Sequence, residues 1–479
     1  MRLTLYSLTP LLSLWSLSAP LEARPNAPQA LCEQWAPEGC SPTQQTDCSP
    51  CHTLPPARDR FGAAIEELHW PGDERPESDE AFLEGLTSAL STLAERDSDG
   101  DGVENRAEWL AGSDPGDASV VPQTEVRDPC AAGGANPDYD VCGYDFAYAY
   151  KRVMLDFCGA PPSWSELQAM LSQTLEGRHE ALHEALDRCL SARYWLGRDG
   201  ALWRLAHPKV RPIGALKSGE DAGPIPLGDY EPDYALFAYA MSGDRDVRDL
   251  LMADYFVRLT REDPPRYERA ESLPGQLLPA ERRAGLISSR WFLLINTMFT
   301  PVPRTTAAQA YRAYLGLDIA KSEGLINPPD EAGELIDYDE KGITAPACAA
   351  CHVTLDPLSY PFSRFEGIAG PQTGAYRAGR LDGYGAEEGA QLSSLPEAGY
   401  LLGRPVQDLG EWAEVAANSD AFAQKVTLDL WTLLIGEAPH SERDLTEFEA
   451  LWTGLMGADN YRVEATLHAL IDTLAYGRP

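Results

Sequence analysis

The chain has 479 residues, room for two or three domains with their own cores, and its 44% hydrophobic content is that of an ordinary folded protein. Its 74 acidic residues against 39 basic ones give a net charge of −35. A surface of that sign repels nucleic acid and anionic lipid, which excludes both as partners, and it attracts cations and basic protein patches.

In chain order, Arg2, the broken apolar run Leu3 to Leu17 and the small residues Ala19 and Ala23 predict an export signal over 1–23. That run is too short and too interrupted to span a membrane, and no later stretch offers 18 uninterrupted apolar residues. The expected product is secreted, to the periplasm, the cell surface or beyond. Residues 24–118 read as a first module. Its opening part is rich in proline and polar residues, and a helix follows from Ser78 to Arg96, with Leu83, Leu86, Leu90 and Leu93 spaced by three and four. A Gly/Asp loop and a short helix ending near Gly112 complete it. Residues 119–147 read as a linker. Two further domains are expected beyond it, a helical one over 148–335 and a C-terminal helical one over 336–479 that carries the second c-haem motif. Ser163 and Glu166 form a capping box ahead of Leu167, Met170 and Leu171. Further helices are expected near 178–190, 232–260, 278–298, 304–320, 411–435 and 443–475. Long alternating patterns are absent, so the fold class is mainly α.

Two motifs carry redox chemistry, Cys48-Ser-Pro-Cys51-His52 and Cys348-Ala-Ala-Cys351-His352. Two thiols three positions apart reach both vinyl groups of a haem, and the adjacent imidazole then lies under the iron as axial ligand. Ten Cys and eight His place such a motif by chance roughly 0.003 times in this length, so two of them behind an export signal predict two covalent c-type haems. A thiol-redox pair would want a βαβ setting that the sequence lacks. For the opposite face of the first iron, His69 is the only other His of its module. For the second, Met298 leads, with Met241, His207, His440 and His468 also open; an apolar core role competes for Met298.

Asp97-Ser-Asp99-Gly-Asp101-Gly102-Val103-Glu-Asn105-Arg-Ala-Glu108 fits the twelve-residue calcium loop without a mismatch. Asp97, Asp99 and Asp101 supply carboxylates, Val103 a carbonyl, Asn105 the ninth position and Glu108 two closing oxygens. One calcium ion in a structural role is expected. The six remaining cysteines suit three disulfides in an oxidising compartment. Proximity suggests Cys32–Cys40, Cys130–Cys142 and Cys158–Cys189, one of 15 pairings. Finally, His179-Glu180-Ala-Leu-His183 matches the zinc-protease signature. Glu184 directly after it, no downstream Gly and third His, and no acidic residue between Asp187 and Asp199 or in 200–219 argue instead for an ordinary amphipathic helix.

Several of these stretches resemble the planctomycete-type multidomain c-haem proteins, exported chains built of domains of unknown function. Lys151-Arg-Val-Met-Leu-Asp-Phe-Cys-Gly-Ala-Pro-Pro-Ser-Trp-Ser-Glu166 is similar to their opening helix, and Leu186 to Trp195 to the next one. Arg283 to Leu286 and Pro301 to Arg304 resemble a central segment, and Phe422 to Gly436 the last helical domain. Cys351-His-Val-Thr-Leu-Asp356-Pro-Leu358 with Phe362 and Phe365 to Ile368 is the most specific match, to their haem segment. Trp109 to Pro115 resembles the ends of thrombospondin type 3 and dockerin-like calcium loops. The chain departs from the pattern at Ser359-Tyr360 and Arg364-Phe365-Glu366. It also departs at Cys158 and Cys189, whose place on adjacent helices favours a disulfide. The resemblance implies a haem protein without supplying a substrate. The expected function is electron transfer with basic redox partners. A dihaem peroxidase and a haem-containing scaffold are the alternatives.

Overall fold

The computed structural model describes residues 26–36, 49–52, 58–69, 78–118, 142–198, 200–211, 229–329, 333–368, 373–383, 391–440 and 443–479. The predicted signal, most of the linker, and Cys40, Cys48 and Cys130 lie outside the described residues. The chain divides into two compact units, Met1–Thr124 and Glu125–Pro479.

The first unit contains α1 (Ala27–Trp35), α2 (Arg60–His69), α3 (Asp79–Leu93) and α4 (Asn105–Ala111). Sequence periodicity finds α3 but not α1 and α2, which begin in proline-rich surroundings. Ser78 caps α3 by accepting from the Ala81 amide at 3.2 Å. Its inward face is Phe82, Leu86, Leu90 and Leu93, with Leu83 at the margin. Trp35 anchors this small core. Its ring lies 5.4 Å from Phe61 and 6.0 Å from Trp109, and its indole N–H donates to the Leu90 carbonyl at 3.3 Å.

The second unit is mainly helical. It runs through α5 (Phe146–Cys158), α6 (Trp164–Leu171), α7 (Leu175–Leu190), α8 (Arg193–Leu196), α9 (Ala201–Val210), α10 (Glu231–Ala240) and α11 (Asp249–Met252). A hairpin of β1 (Phe256–Thr260) and β2 (Arg266–Ala270) follows, with Phe256 opposite Ala270 and Thr260 opposite Arg266. Next come α12 (Arg290–Thr297), α13 (Arg304–Leu315) and α14 (Pro346–Ser359). A second hairpin, β3 (Gly399–Leu401) with β4 (Arg404–Val406), leads to α15 (Leu409–Ala417), α16 (Asp420–Ile435), α17 (Leu445–Met456), α18 (Val463–Ile471) and α19 (Leu474–Gly477). The capping box at Ser163 and Glu166 forms as expected.

The helix expected over 232–260 is replaced at its end by β1. Phe256, Val257, Leu259 and Thr260 favour a pleated strand, and Asp263-Pro264-Pro265 turns the chain back. The helix expected over 411–435 is two helices, because Ser419 accepts from the Phe422 amide at 3.2 Å and starts α16 afresh.

One hydrophobic core runs from Ala149 to Tyr476, so residues of 148–335 and 336–479 pack into the same interior. The Cys158–Cys189 disulfide joins α5 to α7 across a Cα separation of 4.8 Å. Cys32 and Cys142 are also disulfide-bonded. The ends of the unit meet: the Asp145 amide donates to Gly477 at 2.9 Å, and Tyr144 Oη to the Ile471 carbonyl at 2.7 Å.

Asp233 on α10 is buried and receives the Ser289 hydroxyl, while Ser289 also caps α12. Burial pushes its carboxyl up to about 8. The fold therefore holds a proton that the unfolded chain releases near pH 4, and stability is lost as pH rises from about 4 to 8. Asp233→Asn, which keeps the neutral shape, is expected to flatten that decline in melting temperature. A parallel decline in both proteins would contradict it.

Candidate haem and metal sites

The second haem motif opens α14. Ala345 and Pro346 start the helix, and positions i, i+3 and i+4 place Cys348, Cys351 and His352 along one side. This first part of the helix is the accessible one. Cys348 is exposed, Cys351 and His352 are half-buried, and burial becomes complete by Asp356. Burial holds the Cys351 thiol above its ordinary range, with Cys348 adding to the effect.

One turn after His352, Asp356 accepts a hydrogen bond from its Nδ1 at 2.7 Å. That partner fixes the tautomer and leaves Nε2 as the nitrogen with a lone pair. Asp356 is itself held from α13: Arg304 donates Nε to Oδ1 at 2.8 Å and Nη2 to Oδ2 at 2.7 Å. Arg304 also binds Asp339 through two contacts of 2.7 and 2.9 Å. Although burial opposes its charge, the two carboxylates hold the guanidinium above its ordinary range. Asp339 is correspondingly low, its own burial notwithstanding. Two thiols and one oriented imidazole are the donor types that c-type haem attachment uses, and the braced carboxylate stands behind the imidazole.

Met298 caps the C-terminal end of α12 with a positive φ of 47°, and the residue is 48% exposed. Its carbonyl accepts from the Ile368 amide at 2.8 Å, which ties its backbone to the segment after the haem motif. Met241 is buried in the core. His207 stands edge-on to Trp203, and the His440 amide donates to Asp444 at 3.0 Å. Both ring nitrogens of His468 have protein partners, His183 and Asp187, so it is unsuited to an iron. The departure at Arg364-Phe365-Glu366 is structural. Phe365 enters the core and Glu366 pairs with Arg377 at 2.9 Å and Arg380 at 3.4 Å.

In the first unit, Cys51 closes a short 3₁₀ turn (Ser49–Cys51), and His52 follows it, half-buried. The Asp59 amide donates back to the Cys51 carbonyl at 3.3 Å, and α2 packs on that carbonyl through Gly62. A Cβ at Gly62 would sit 2.1 Å from the Cys51 oxygen, so only glycine fits there. Burial pushes the neighbouring Asp59 carboxyl up to about 6. His69, at the far end of α2, lies against Phe82 and Gly85 of α3, its ring 5.4 Å from that of Phe82.

The calcium loop bridges α3 and α4. Asp97 accepts the Gly100 and Gly102 amides at 2.6 and 2.8 Å, which hold its carboxyl below the usual range. Asp99 Oδ1 accepts the Asp101 amide at 3.1 Å, and Asp101 Oδ1 the Val103 amide at 2.8 Å. In each case one oxygen shapes the loop. The other, Asp99 Oδ2 or Asp101 Oδ2, is buried without a protein partner. Glu108 is fully buried and both of its carboxylate oxygens lack partners. Burial, reinforced by the charges of Asp99, Asp101 and Asp97, pushes it up to about 8. Four orphaned carboxylate oxygens on a loop of this pattern fit one divalent oxygen-seeking ion. Asn105 ties the loop shut: its side-chain oxygen accepts from the Ser98 amide at 3.0 Å and its amide donates to Leu93 at 2.8 Å.

Two features escaped sequence reasoning. Arg304 reaches Asp356 from α13, and Asp339 in turn binds that Arg304; neither has a local signature. Asp356 does have one, standing four residues after His352. No helix among the described residues is long and apolar enough to cross a membrane. Comparison of this chain with family models, curated proteins and solved structures gives no match.

Proposed function

We propose that the chain is an exported dihaem c-type cytochrome of the multidomain kind described above, working in electron transfer at the cell envelope with a structural calcium ion. The observation that carries this reading is the His352–Asp356–Arg304–Asp339 chain behind the Cys348/Cys351 thiols. Cys348 and Cys351 would hold one haem and His352 its iron, while Cys48, Cys51 and His52 would hold the other. The bound haems supply one-electron redox chemistry. The protein's part is to orient the His352 imidazole, to set its basicity through Asp356, and to offset that carboxylate's charge with Arg304. The net charge of −35 would draw in basic redox partners, at rates that fall as salt rises.

The same carboxylate supports a second reading, a peroxidase-type haem enzyme. A more basic axial imidazole donates electron density to the iron, as suits peroxide activation. Expression in a host that matures c-type haem tests both. Intact mass is expected to show two covalent haems per chain, and Cys348→Ser with Cys351→Ser to retain one. An exported product without added haem would sink the proposal. Two low-spin irons would favour the carrier, and one high-spin iron that reacts with peroxide the enzyme.

A further inference from the structure

The helix dismissed as merely amphipathic carries more than its buried stripe of Leu182, Ala185, Leu186, Cys189 and Leu190. On its outer face His179 and His183 are one turn apart. The closing of the second unit on itself brings the end of α18 beside them, and α18 contributes its own one-turn pair, His468 and Asp472. His183 Nε2 lies 3.2 Å from His179 Nε2 and 2.9 Å from Asp472 Oδ1, and His179 Nε2 lies 3.0 Å from that oxygen. Three potential ligand atoms from two helices thus form a nearly equilateral triangle.

The hydrogen bonds beyond the triangle assign the tautomer. Asp187 Oδ1 lies 2.8 Å from His468 Nε2 and, as a carboxylate, accepts its proton. His468 Nδ1 is then the acceptor for His183 Nδ1–H, 2.6 Å away, the two rings being within 6° of parallel. His183 Nε2 is left with a lone pair pointing at His179 and Asp472. This is the arrangement in which a ligating imidazole donates its second N–H to a supporting group. The corners lie about 1.8 Å from the triangle's centre, so an ion bonded at about 2.0–2.1 Å sits just above its plane. The carboxylate that the sequence failed to supply near the motif comes from 289 residues away. The side chains of His179, His183 and Asp472 are 50%, 21% and 37% exposed, so an ion can enter and further coordination positions face solvent.

We propose that His179 Nε2, His183 Nε2 and Asp472 Oδ1 form a binding site for one divalent first-row transition ion of the zinc class, with His468 and Asp187 orienting His183. Two imidazoles and one carboxylate suit such an ion, whereas calcium prefers all-oxygen sites. The ion would clamp α18 to α7. The site is independent of the haem motifs.

Zinc is the probe. The full-length mature chain, with haem attached or with its thiols alkylated, is equilibrated with zinc in millimolar calcium, which occupies the oxygen-only loop. Wild type is expected to take up one zinc more per chain than His179→Ala, His183→Ala or Asp472→Asn, and zinc is expected to raise the melting temperature of wild type alone. Asp187→Ala is expected to weaken uptake about 10- to 100-fold. If His183→Ala fails to fold by circular dichroism, the half-exposed His179→Ala carries the comparison. Equal zinc uptake by wild type and the ligand variants overturns the site. The result is the same whether or not haem is attached, so failure here is separable from failure of the cytochrome reading.

Discussion

On the proposal that Cys348, Cys351 and His352 hold a haem, Asp356→Asn is expected to raise that haem's midpoint potential by roughly 60 mV, about 1.4 kcal/mol for a one-electron couple. The reasoning starts from charge. A carboxylate 2.7 Å from His352 Nδ1 draws the imidazole proton toward itself and makes Nε2 a stronger donor. A stronger donor stabilises the ferric state over the ferrous one. Asparagine accepts the same hydrogen bond without the charge, so the preference weakens and the potential climbs. Hydrogen bonds to charged groups are worth about 1.5–3 kcal/mol, and only the part that differs between oxidation states appears in the potential.

Arg304 supplies the control of opposite sign. It neutralises part of the charge on Asp356, so Arg304→Gln is expected to lower the potential. Removing one member of a buried ion network also costs about 3–5 kcal/mol of stability, so the melting temperature of Arg304→Gln falls as well. Optical redox titration of the two variants is the check. Shifts of the same sign, or none, would show that Asp356 serves only to hold α14 on α13.

How much of this was legible beforehand depended on sequence distance. The Cys348-Cys351-His352 motif is local, and so is Asp356, four residues on. The brace is not: Arg304 is 52 positions from Asp356 and meets it only when α13 packs on α14, and Asp339 is 35 positions from the Arg304 that it binds. The histidine motif shows the same limit from the other side. His179 and His183 were visible, but their carboxylate partner was sought within 40 residues, and the fold supplies it from the C-terminal end.

Helix content was readable because buried leucines repeat at helical spacing, as at Leu86, Leu90 and Leu93. Helix ends were less so, because a single hydroxyl such as Ser419 divides what periodicity joins. The β1–β2 hairpin was missed because Leu250, Leu251, Phe256, Val257 and Leu259 also satisfy a helical stripe over part of their length. Only the Asp263-Pro264-Pro265 turn tells the two apart. Residues 26–69 show no helical period, because prolines surround two helices whose anchors, Trp35 and Phe61, are too sparse to set one.

On the proposal that the loop holds calcium, removing the ion is expected to have the second large effect, with a sign that depends on pH. Without the ion, Glu108 is a buried carboxyl beside three aspartates, and it keeps a proton up to about pH 8. The unfolded chain releases that proton near the ordinary glutamate value, so the calcium-free fold loses stability as pH rises from about 4.5 to 8. A bound calcium ion would replace that proton. At a concentration 100-fold above its dissociation constant, the ion stabilises the fold by about 2.7 kcal/mol. Glu108→Gln separates the two contributions. Glutamine fills the same space without charge, so with chelator at pH 8 the variant is expected to outlast wild type. In millimolar calcium the order reverses, because wild type alone has the bidentate ligand that closes the loop. Hydrogen exchange of α3 and α4 reads this locally, free of signal from the second unit. If the two proteins keep the same order in chelator and in calcium, the four orphaned oxygens of Asp99, Asp101 and Glu108 do not converge on an ion.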